Sequence, residues 1–190
     1  MNGDVLLNVV ELAQYTDTLY SIRKRSAMGE DGMSQEEYIR RAWALRGSML
    51  RLACSVVREQ HDAEDAVQEA IVAAWRRLNT LKDERAFKTW MMRIVMNTCR
   101  SMLRKRRRYV LLDSVELPML EEDSARDALW ESVCALEERL RLPIVLHYYE
   151  GFQIEEIAKI LHRPAGTIAT RMRRARLLLQ EELAGKGERG

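Results

Sequence analysis

The stretch IEEIAKILHRPAGTIATRMRRARLLLQEEL, residues 154–183, decides the fold of the C-terminal part of the chain. A short amphipathic segment precedes a tight turn at HRPAG (162–166), and a longer helical pattern follows it. Four arginines lie in the second segment, at positions 171, 173, 174 and 176. A short helix, a tight turn and a basic second helix form a helix-turn-helix, which commonly places its second helix in the DNA major groove. The sequence therefore predicts a DNA-binding element here.

The spacing of apolar residues in the second helix separates a buried face from an exposed one. The residues expected to face inward recur at i, i+4, i+7 and i+11: Ile168, Met172, Ala175 and Leu179. At about 100° per residue, Thr170, Arg173 and Arg174 project from the opposite side. Arg171 and Arg176 flank the buried stripe. A basic helix face is often only a solvated surface, but the short helix and turn before it favour DNA binding.

The composition predicts an all-α protein made of two small helical domains that are joined by an acidic linker. Only 9 of 190 residues are Gly and 3 are Pro, while 47% are hydrophobic and 32% are charged. The net charge of +2 does not by itself indicate nucleic acid. Its distribution is more informative, because residues 100–108 hold six basic side chains and no acidic one. The following residues 110–128 hold six acidic side chains and one Arg.

Capping residues and the spacing of apolar residues predict three helices around one core in the first half of the chain. The capping box at residues 34–37 predicts a helix running to about Arg58, and Asp62 is expected to cap the next helix. After a polar loop at residues 79–86, a third helix begins near Phe87 and runs into the basic block. Phe87 and Trp90 could stack on unpaired bases, but their helical spacing favours core positions.

In the second half, residues 110–123 are expected to form the linker, and a second capping box at residues 124–127 opens a helix. Pro143 is expected to start a new helix, which Gly151 ends. Residues 185–190 are expected to be a disordered tail. Residues 1–33 form an N-terminal extension whose apolar spacing allows one amphipathic helix. We favour a loosely packed tail there over a regulatory helix that binds the first domain or a partner.

Several classes of protein are excluded by what the chain lacks. Its three cysteines, Cys54, Cys99 and Cys134, lie far apart and form no zinc motif, so free and mostly buried thiols in a reducing compartment are expected. The apolar run at residues 5–10 is too short for a membrane span, and the chain is expected to be cytoplasmic. No nucleophile motif or phosphate-binding glycine loop is present. We therefore expect no enzyme activity, no cofactor and no metal.

Taken together, residues 35–183 resemble a bacterial RNA polymerase sigma factor of the extracytoplasmic-function group. DAEDAVQEAIVAAW (62–75) is similar to the region-two segment that binds the clamp helices of the polymerase. FKTWMMRIVMNTCRSMLRKRRR (87–108) is similar to the segment that melts and reads the −10 element. Residues 142–179 are similar to region four, which reads the −35 element. The resemblance implies region two at 34–109, a linker at 110–123 and region four at 124–184.

The resemblance also implies roles for particular residues. The residues expected to bind polymerase are Asp65, Gln68 and Glu69. Those expected at the −10 element are Asn97, which would help recognise a flipped base, and the backbone-holding residues Arg100, Arg104, Lys105, Arg106 and Arg107. Those expected at the −35 element are Thr167, Thr170, Arg171, Arg173 and Arg174. Without the resemblance, the acidic start of the helix at Asp62 is only a well-capped surface, and the basic block at residues 100–108 is only a solvated helix end.

The function implied is that of a promoter-specificity subunit, with core RNA polymerase, promoter DNA and an anti-sigma factor as partners and no membrane insertion. One alternative is a helix-turn-helix regulator that acts without polymerase, and a second is a helical adaptor with no role on DNA. The exposed Leu177 is either a contact for an anti-sigma factor or an isolated surface residue. Two residues depart from the usual pattern, since His162 stands where Gly is common and Gln153 is a weak helix cap.

Overall fold

Helices account for nearly all of the residues that the computed structural model describes, which are 33–109 and 124–187. The prediction of an all-α fold is confirmed, and no strand occurs within these two ranges. The predictions for residues 1–32 and for the linker at 110–123 lie outside them. The helices are α1 (Gln35–Ala44), α2 (Arg46–Val57), α3 (Gln60–Trp75), α4 (Phe87–Tyr109), α5 (Ser124–Ala135), α6 (Glu138–Ile144), α7 (Ile154–Leu161) and α8 (Ala165–Gly187).

The first half of the chain has a core formed by α2, α3 and α4, which pack against one another as the apolar spacing predicts. An aromatic cluster fastens α1 to this core. The ring of the fully buried Tyr38 lies 5.1 Å from the Trp75 ring and 5.9 Å from the Phe87 ring. Its hydroxyl donates a 2.6 Å hydrogen bond to the Ile71 carbonyl, which satisfies the polar end of an otherwise apolar contact.

Two predicted helix boundaries in this half are wrong. The helix expected to run unbroken to about Arg58 is interrupted at Leu45, whose amide donates to the Ala42 carbonyl in a tighter turn. Gly47 follows directly and has a low helix propensity, which favours a break at this point. Asp62 does not cap α3. Glu59 does so, because its longer side chain reaches the amides of residues 61 and 62 at 2.9 and 2.6 Å. These backbone hydrogen bonds lower the pKa of the Glu59 carboxyl.

The second half has its own apolar core, formed by α5, α6, the following turn and α8. The buried residues of this cluster are Trp130, Val133, Cys134, Leu136, Leu140, Ile144, Val145, Ala175 and Leu179. All four residues predicted to face inward from α8 are buried, so the helical-face prediction is confirmed. His162 ends α7 with φ 53°, a left-handed conformation that explains why Gly is common at this place in the turn.

Two further boundary predictions are wrong in this half. Pro143 does not start a helix but lies inside α6, and a π-helical turn at Val145–Tyr149 follows it. The proline has no N–H to continue the α-helical pattern, so the chain changes its hydrogen bonding nearby. Pro164 lies one residue before α8, and its carbonyl accepts from the amide of Ile168. The tail is not disordered from residue 185, because α8 continues to Gly187.

The two halves pack against each other. Helix α4 contacts α7, and α2 contacts both α6 and the π-helical turn that follows it. This arrangement brings the long basic helix of the first half beside the helix-turn-helix of the second. Among the described helices, none has a stretch that is both long and apolar enough to cross a membrane.

Candidate nucleic-acid interface

The helix-turn-helix presents the face that its sequence predicts. Thr170, Arg173 and Arg174 are exposed on α8, on the side away from the buried stripe. The Thr170 hydroxyl donates to the Gly166 carbonyl at 2.9 Å, which fixes the orientation of its side chain. Thr167 and Arg171 are half-buried, so they lie at the edge of this face rather than on it. The arrangement leaves two arginines and a threonine free to approach a DNA groove.

The weak cap at Gln153 is compensated by Glu156. The Glu156 carboxylate reaches back and accepts a 3.0 Å hydrogen bond from the Gln153 amide, which satisfies a donor at the start of α7. The same carboxylate accepts a 3.1 Å hydrogen bond from the Thr89 hydroxyl on α4. Glu156 therefore caps α7 and also joins it to the first half of the chain.

Helix α4 carries all of the predicted −10 residues. Asn97 is exposed, whereas its neighbours Met96 and Thr98 are buried. The residues of the basic block whose side chains are described are half-buried at Arg100 and exposed at 104–106. Arg107 lies in α4, but its side chain is outside the described part of the chain.

The polar loop at residues 79–86, together with the residue before it, contains two short 3₁₀ turns, Leu78–Thr80 and Glu84–Ala86. The Trp90 indole N–H donates to the Thr80 hydroxyl at 3.3 Å and so connects α4 to the first turn. Phe87 is buried, as its spacing predicts, while Trp90 is half-buried. The Trp90 indole therefore holds the first turn of the loop against the start of α4.

The residues predicted to bind polymerase form an exposed polar face on α3. Asp65, Gln68 and Glu69 are exposed. The opposite face of α3 is buried against α2 and α4. Asp62, at the start of the same helix, forms an ion pair with Arg106 of the basic block. One cation of that block is therefore already partly neutralised by the protein itself.

A cleft of about 400 Å³ lies between α4, the start of α6 and the helix-turn-helix, and no sequence pattern predicts it. It is lined by four arginines, two glutamates and two leucines: Arg100, Arg139, Arg163, Arg171, Glu137, Glu138, Leu142 and Leu161. Arg139 pairs with Glu137 at 2.7 Å. Arg100 and Arg171 were predicted to contact different promoter elements, but here they line the same cleft.

Polar contacts across the boundary between the halves centre on Glu150, which the sequence analysis missed. Its carboxylate is only 1% exposed and accepts from the Arg51 guanidinium at 2.7 Å. Its backbone carbonyl accepts from the Lys88 ammonium at 2.6 Å. The Lys88 ammonium also lies 4.7 Å from the centre of the Phe152 ring. No local sequence pattern identifies these contacts, because Glu150 lies 62 positions from Lys88 and 99 positions from Arg51.

A second group of contacts centres on Arg141, whose side chain is buried without a carboxylate partner among the described residues. It donates to the Ser55 carbonyl at 2.8 Å, near the end of α2. It also donates to the carbonyls of Cys134 and Leu136, at 3.0 and 2.6 Å, at the end of α5. Helix C-termini carry unpaired carbonyls and a partial negative charge, so they replace the missing carboxylate. Burial, followed by repulsion from Arg58, lowers the pKa of Arg141 to about 10.

This geometry defines a two-part helical protein with an exposed helix-turn-helix and a second exposed polar surface on α3 and α4. Comparisons with known protein families identify the class of protein to which the chain belongs. The family description Sigma-70 region 2 matches residues 38–109, and Sigma-70, region 4 matches residues 126–179.

Similar proteins carry the same class of name. RNA polymerase sigma factor SigV of Bacillus subtilis (strain 168) is 34% identical over 137 residues, which cover 70% of this chain and 82% of that protein. The ECF RNA polymerase sigma-E factor of Escherichia coli (strain K12) is 32% identical over 134 residues, 60% of this chain and 70% of the other. Among solved structures, the sigma factor RpoE in complex with the anti-sigma factor NepR from Bartonella quintana has a TM-score of 0.69 and 27% identity. That match covers 78% of this chain and 98% of the other.

The chain belongs to the bacterial RNA polymerase sigma factors, in the extracytoplasmic-function group. The resemblance stated from the sequence is thereby confirmed. Sigma factors bind core RNA polymerase and direct it to promoters, and they are not catalytic enzymes. The comparisons favour this function over a regulator that acts without polymerase.

Proposed function

We propose that this sigma factor divides promoter recognition between residues 34–109, acting as region two, and residues 124–184, acting as region four. It works in the cytoplasm and has no catalytic activity of its own. The observation that carries the residue assignments is the separation of faces on α3, α4 and α8. On each helix the assigned polar residues whose side chains the structure describes are at least partly exposed, while the apolar stripe is buried.

Region four reads the −35 duplex through α8. Arg173 and Arg174 project away from the core and are the best placed to donate to guanine edges or to phosphates. Thr170 adds a hydroxyl on the same face, and the half-buried Thr167 and Arg171 contact the DNA backbone from its edge. A well-placed bidentate arginine contributes about 1–3 kcal/mol of discrimination between bases.

Region two reads the melted −10 strand through α4. Asn97 presents an amide that can both donate and accept, which suits the recognition of an unpaired base edge. The loop at residues 79–86 forms the rim of the pocket for that base. The basic residues that hold the strand backbone are Arg100, Arg104, Lys105, Arg106 and Arg107. Flipping a base out of the duplex costs a few kcal/mol, which these contacts offset through pocket binding and counterion release.

The exposed polar face of α3 binds core polymerase through Asp65, Gln68 and Glu69. These three side chains leave the opposite, apolar face of the helix free to support α4. The same helix thus joins the polymerase contact to the −10 contact through one rigid core. Because no covalent chemistry is involved, the mechanism is differential binding to the melted strand.

An anti-sigma factor is a further proposed partner. Support comes from the sigma factor RpoE, whose structure contains the anti-sigma factor NepR. Leu177 is 51% exposed on α8, beside the DNA-reading face, and Leu183, six residues further along, is 44% exposed. An apolar partner covering these leucines would also obstruct α8 from reaching DNA.

The test is transcription in vitro with core polymerase over a library of promoters. Wild-type protein is expected to select a −35 and a −10 sequence, and the variants Arg173→Ala and Arg174→Ala to lose selection at −35. Arg40→Ala is the matched control, because Arg40 is an exposed arginine on α1 that pairs only locally with Glu37. Unchanged selection in both α8 variants would refute the −35 assignment and favour a helical adaptor.

A separate measurement addresses the regulator that acts without polymerase. The full chain is mixed with core polymerase and passed through a gel-filtration column. Comigration supports the polymerase role, and its loss in Gln68→Ala or Glu69→Ala would support the α3 face. Binding to duplex DNA without any comigration would favour the regulator instead.

A further inference from the structure

Three arginines from different elements line the cleft between α4, the start of α6 and the helix-turn-helix. Arg100 comes from α4, Arg163 from the turn after α7, and Arg171 from α8. Within residues 33–109 and 124–187, none of the three forms an ion pair or a side-chain hydrogen bond. Like charges that face one cleft repel one another, so an anion bound between them would relieve the repulsion.

The two glutamates that line the same cleft do not neutralise these arginines. Glu137 pairs with the fourth arginine of the cleft, Arg139, at 2.7 Å. Glu138 lies in the first turn of α6, and its charge acts on the buried Arg141. Four arginines against two glutamates leave the lining with a net charge of +2. The cleft therefore favours an anionic ligand.

The cleft also has an apolar wall and the size of a small-molecule site. Leu142 and Leu161 line it and are 2% and 3% exposed. Apolar surroundings strengthen the electrostatic attraction between a cation and a bound anion, because they exclude water. Its volume of about 400 Å³ lies within the range of about 300–1,000 Å³ that is usual for pockets that bind small molecules.

We propose that this cleft binds a small molecule that carries a diphosphate group. The planar guanidinium donates two parallel hydrogen bonds to phosphate oxygens, which makes arginine well suited to this group. A single phosphate carries about 1.5–2 negative charges at pH 7 and would leave one of the three arginines unmatched. Two linked phosphates match all three. The leucine wall then contacts the part of the ligand beyond the phosphates.

Isothermal titration calorimetry of the free, full-length protein with inorganic pyrophosphate tests this site. Neither DNA nor polymerase is present, so the result does not depend on the proposed function. Wild-type protein is expected to bind one pyrophosphate per chain. Arg163→Gln is expected to weaken binding by about tenfold or more, because it removes one charge-assisted fork of donors. Arg163 is the informative position, since it belongs to neither predicted set of DNA contacts.

A second variant and a matched control locate the ligand. Arg100→Gln removes an arginine from the opposite side of the cleft and is expected to weaken binding by a similar factor. Arg176→Gln removes the same charge from an exposed position on α8 that does not line the cleft. It is expected to change the affinity by less than about twofold, because exposed charges are screened by salt. Circular dichroism verifies that each variant keeps its helices.

The remaining titrations separate this site from general attraction to a basic surface. Absence of pyrophosphate binding by the wild type would overturn the proposal, and so would equal weakening by Arg163→Gln and Arg176→Gln. Citrate at the same ionic strength is expected to bind more weakly, and equal binding would show that charge alone decides. A short duplex without promoter elements is titrated in parallel. Binding of that duplex through Arg163, with none of pyrophosphate, would assign the cleft to nucleic-acid phosphates and reject a small-molecule site.

Discussion

Replacing Arg141 by methionine tests whether the buried guanidinium joins the two halves. The substitution keeps an unbranched side chain of similar reach, so little cavity is created. It removes three hydrogen bonds, to the carbonyls of Ser55, Cys134 and Leu136. The Cys134 carbonyl keeps a second donor, because the Arg58 guanidinium lies 3.1 Å away. Two buried carbonyls are therefore left without their side-chain donor.

The expected loss follows from two opposing contributions. An unsatisfied buried polar group costs about 1–3 kcal/mol, so two carbonyls cost about 4 kcal/mol. The variant also relieves the burial of a charge, which in the wild type lowers the pKa of Arg141 to about 10. That relief offsets part of the loss, as it does when other buried charges are replaced by apolar groups. We expect the free energy of unfolding to fall by about 2 kcal/mol, or about 4–8 °C in melting temperature.

Differential scanning calorimetry provides the measurement, with Arg139→Met as the control. Arg139 is two residues away but largely exposed, and its ion pair with Glu137 is a surface pair worth less than about 1 kcal/mol. A second variant, Arg141→Lys, keeps the charge but loses the planar fork that reaches several carbonyls. It is expected to melt close to Arg141→Met. A melting temperature for Arg141→Met within 1 °C of wild type would refute the joining role of Arg141.

Three further predictions concern single positions. His162→Gly should raise the free energy of unfolding by about 0.5–1 kcal/mol in urea titration, because φ 53° strains a residue with a Cβ; a decrease would contradict this. Trp130→Phe should change stability by less than about 1 kcal/mol, since the buried indole N–H has no partner among the described residues; a loss above 2 kcal/mol would indicate a partner. Asn97→Ala should relax selection at the −10 element in library transcription while leaving comigration with polymerase intact. Selection equal to wild type would remove the assigned role.

The helix-turn-helix could be predicted because its signals are local. The inward face of α8 follows from the spacing of four apolar residues, and the left-handed His162 follows from its place in the turn. The boundary errors have local causes as well. Glu59 is not a common cap residue, and its role depends on the chain direction set by Arg58, which is itself left-handed at φ 64°. Periodicity shows where a helix lies but leaves its first and last residues open.

The contacts between the halves could not be predicted in the same way. Arg141 and Ser55 are 86 positions apart, and Arg51 and Glu150 are 99 apart. In the sequence, Arg141 follows Arg139 on a short charged segment, and nothing distinguishes the buried arginine from the exposed one. Arg141 is buried because the ends of α2 and α5 meet around its side chain in the folded protein, whereas Arg139 stays exposed. The cleft lined by Arg100 and Arg171 could not be predicted from the sequence, because its lining residues are also far apart in the chain.

The ion pair at this boundary contributes specificity more than stability. The ion pair between the half-buried Arg51 and the buried Glu150 adds little net stability, because the attraction between the charges roughly balances their loss of hydration. When the halves separate, water replaces each lost hydrogen bond. The net free energy of separation therefore stays small, although specific residues pair across the boundary. An apolar boundary of the same size would instead expose its whole surface to water on opening, at about 25 cal/mol for each Å². The pairing across the boundary is therefore specific about which residues meet, although it adds little net stability.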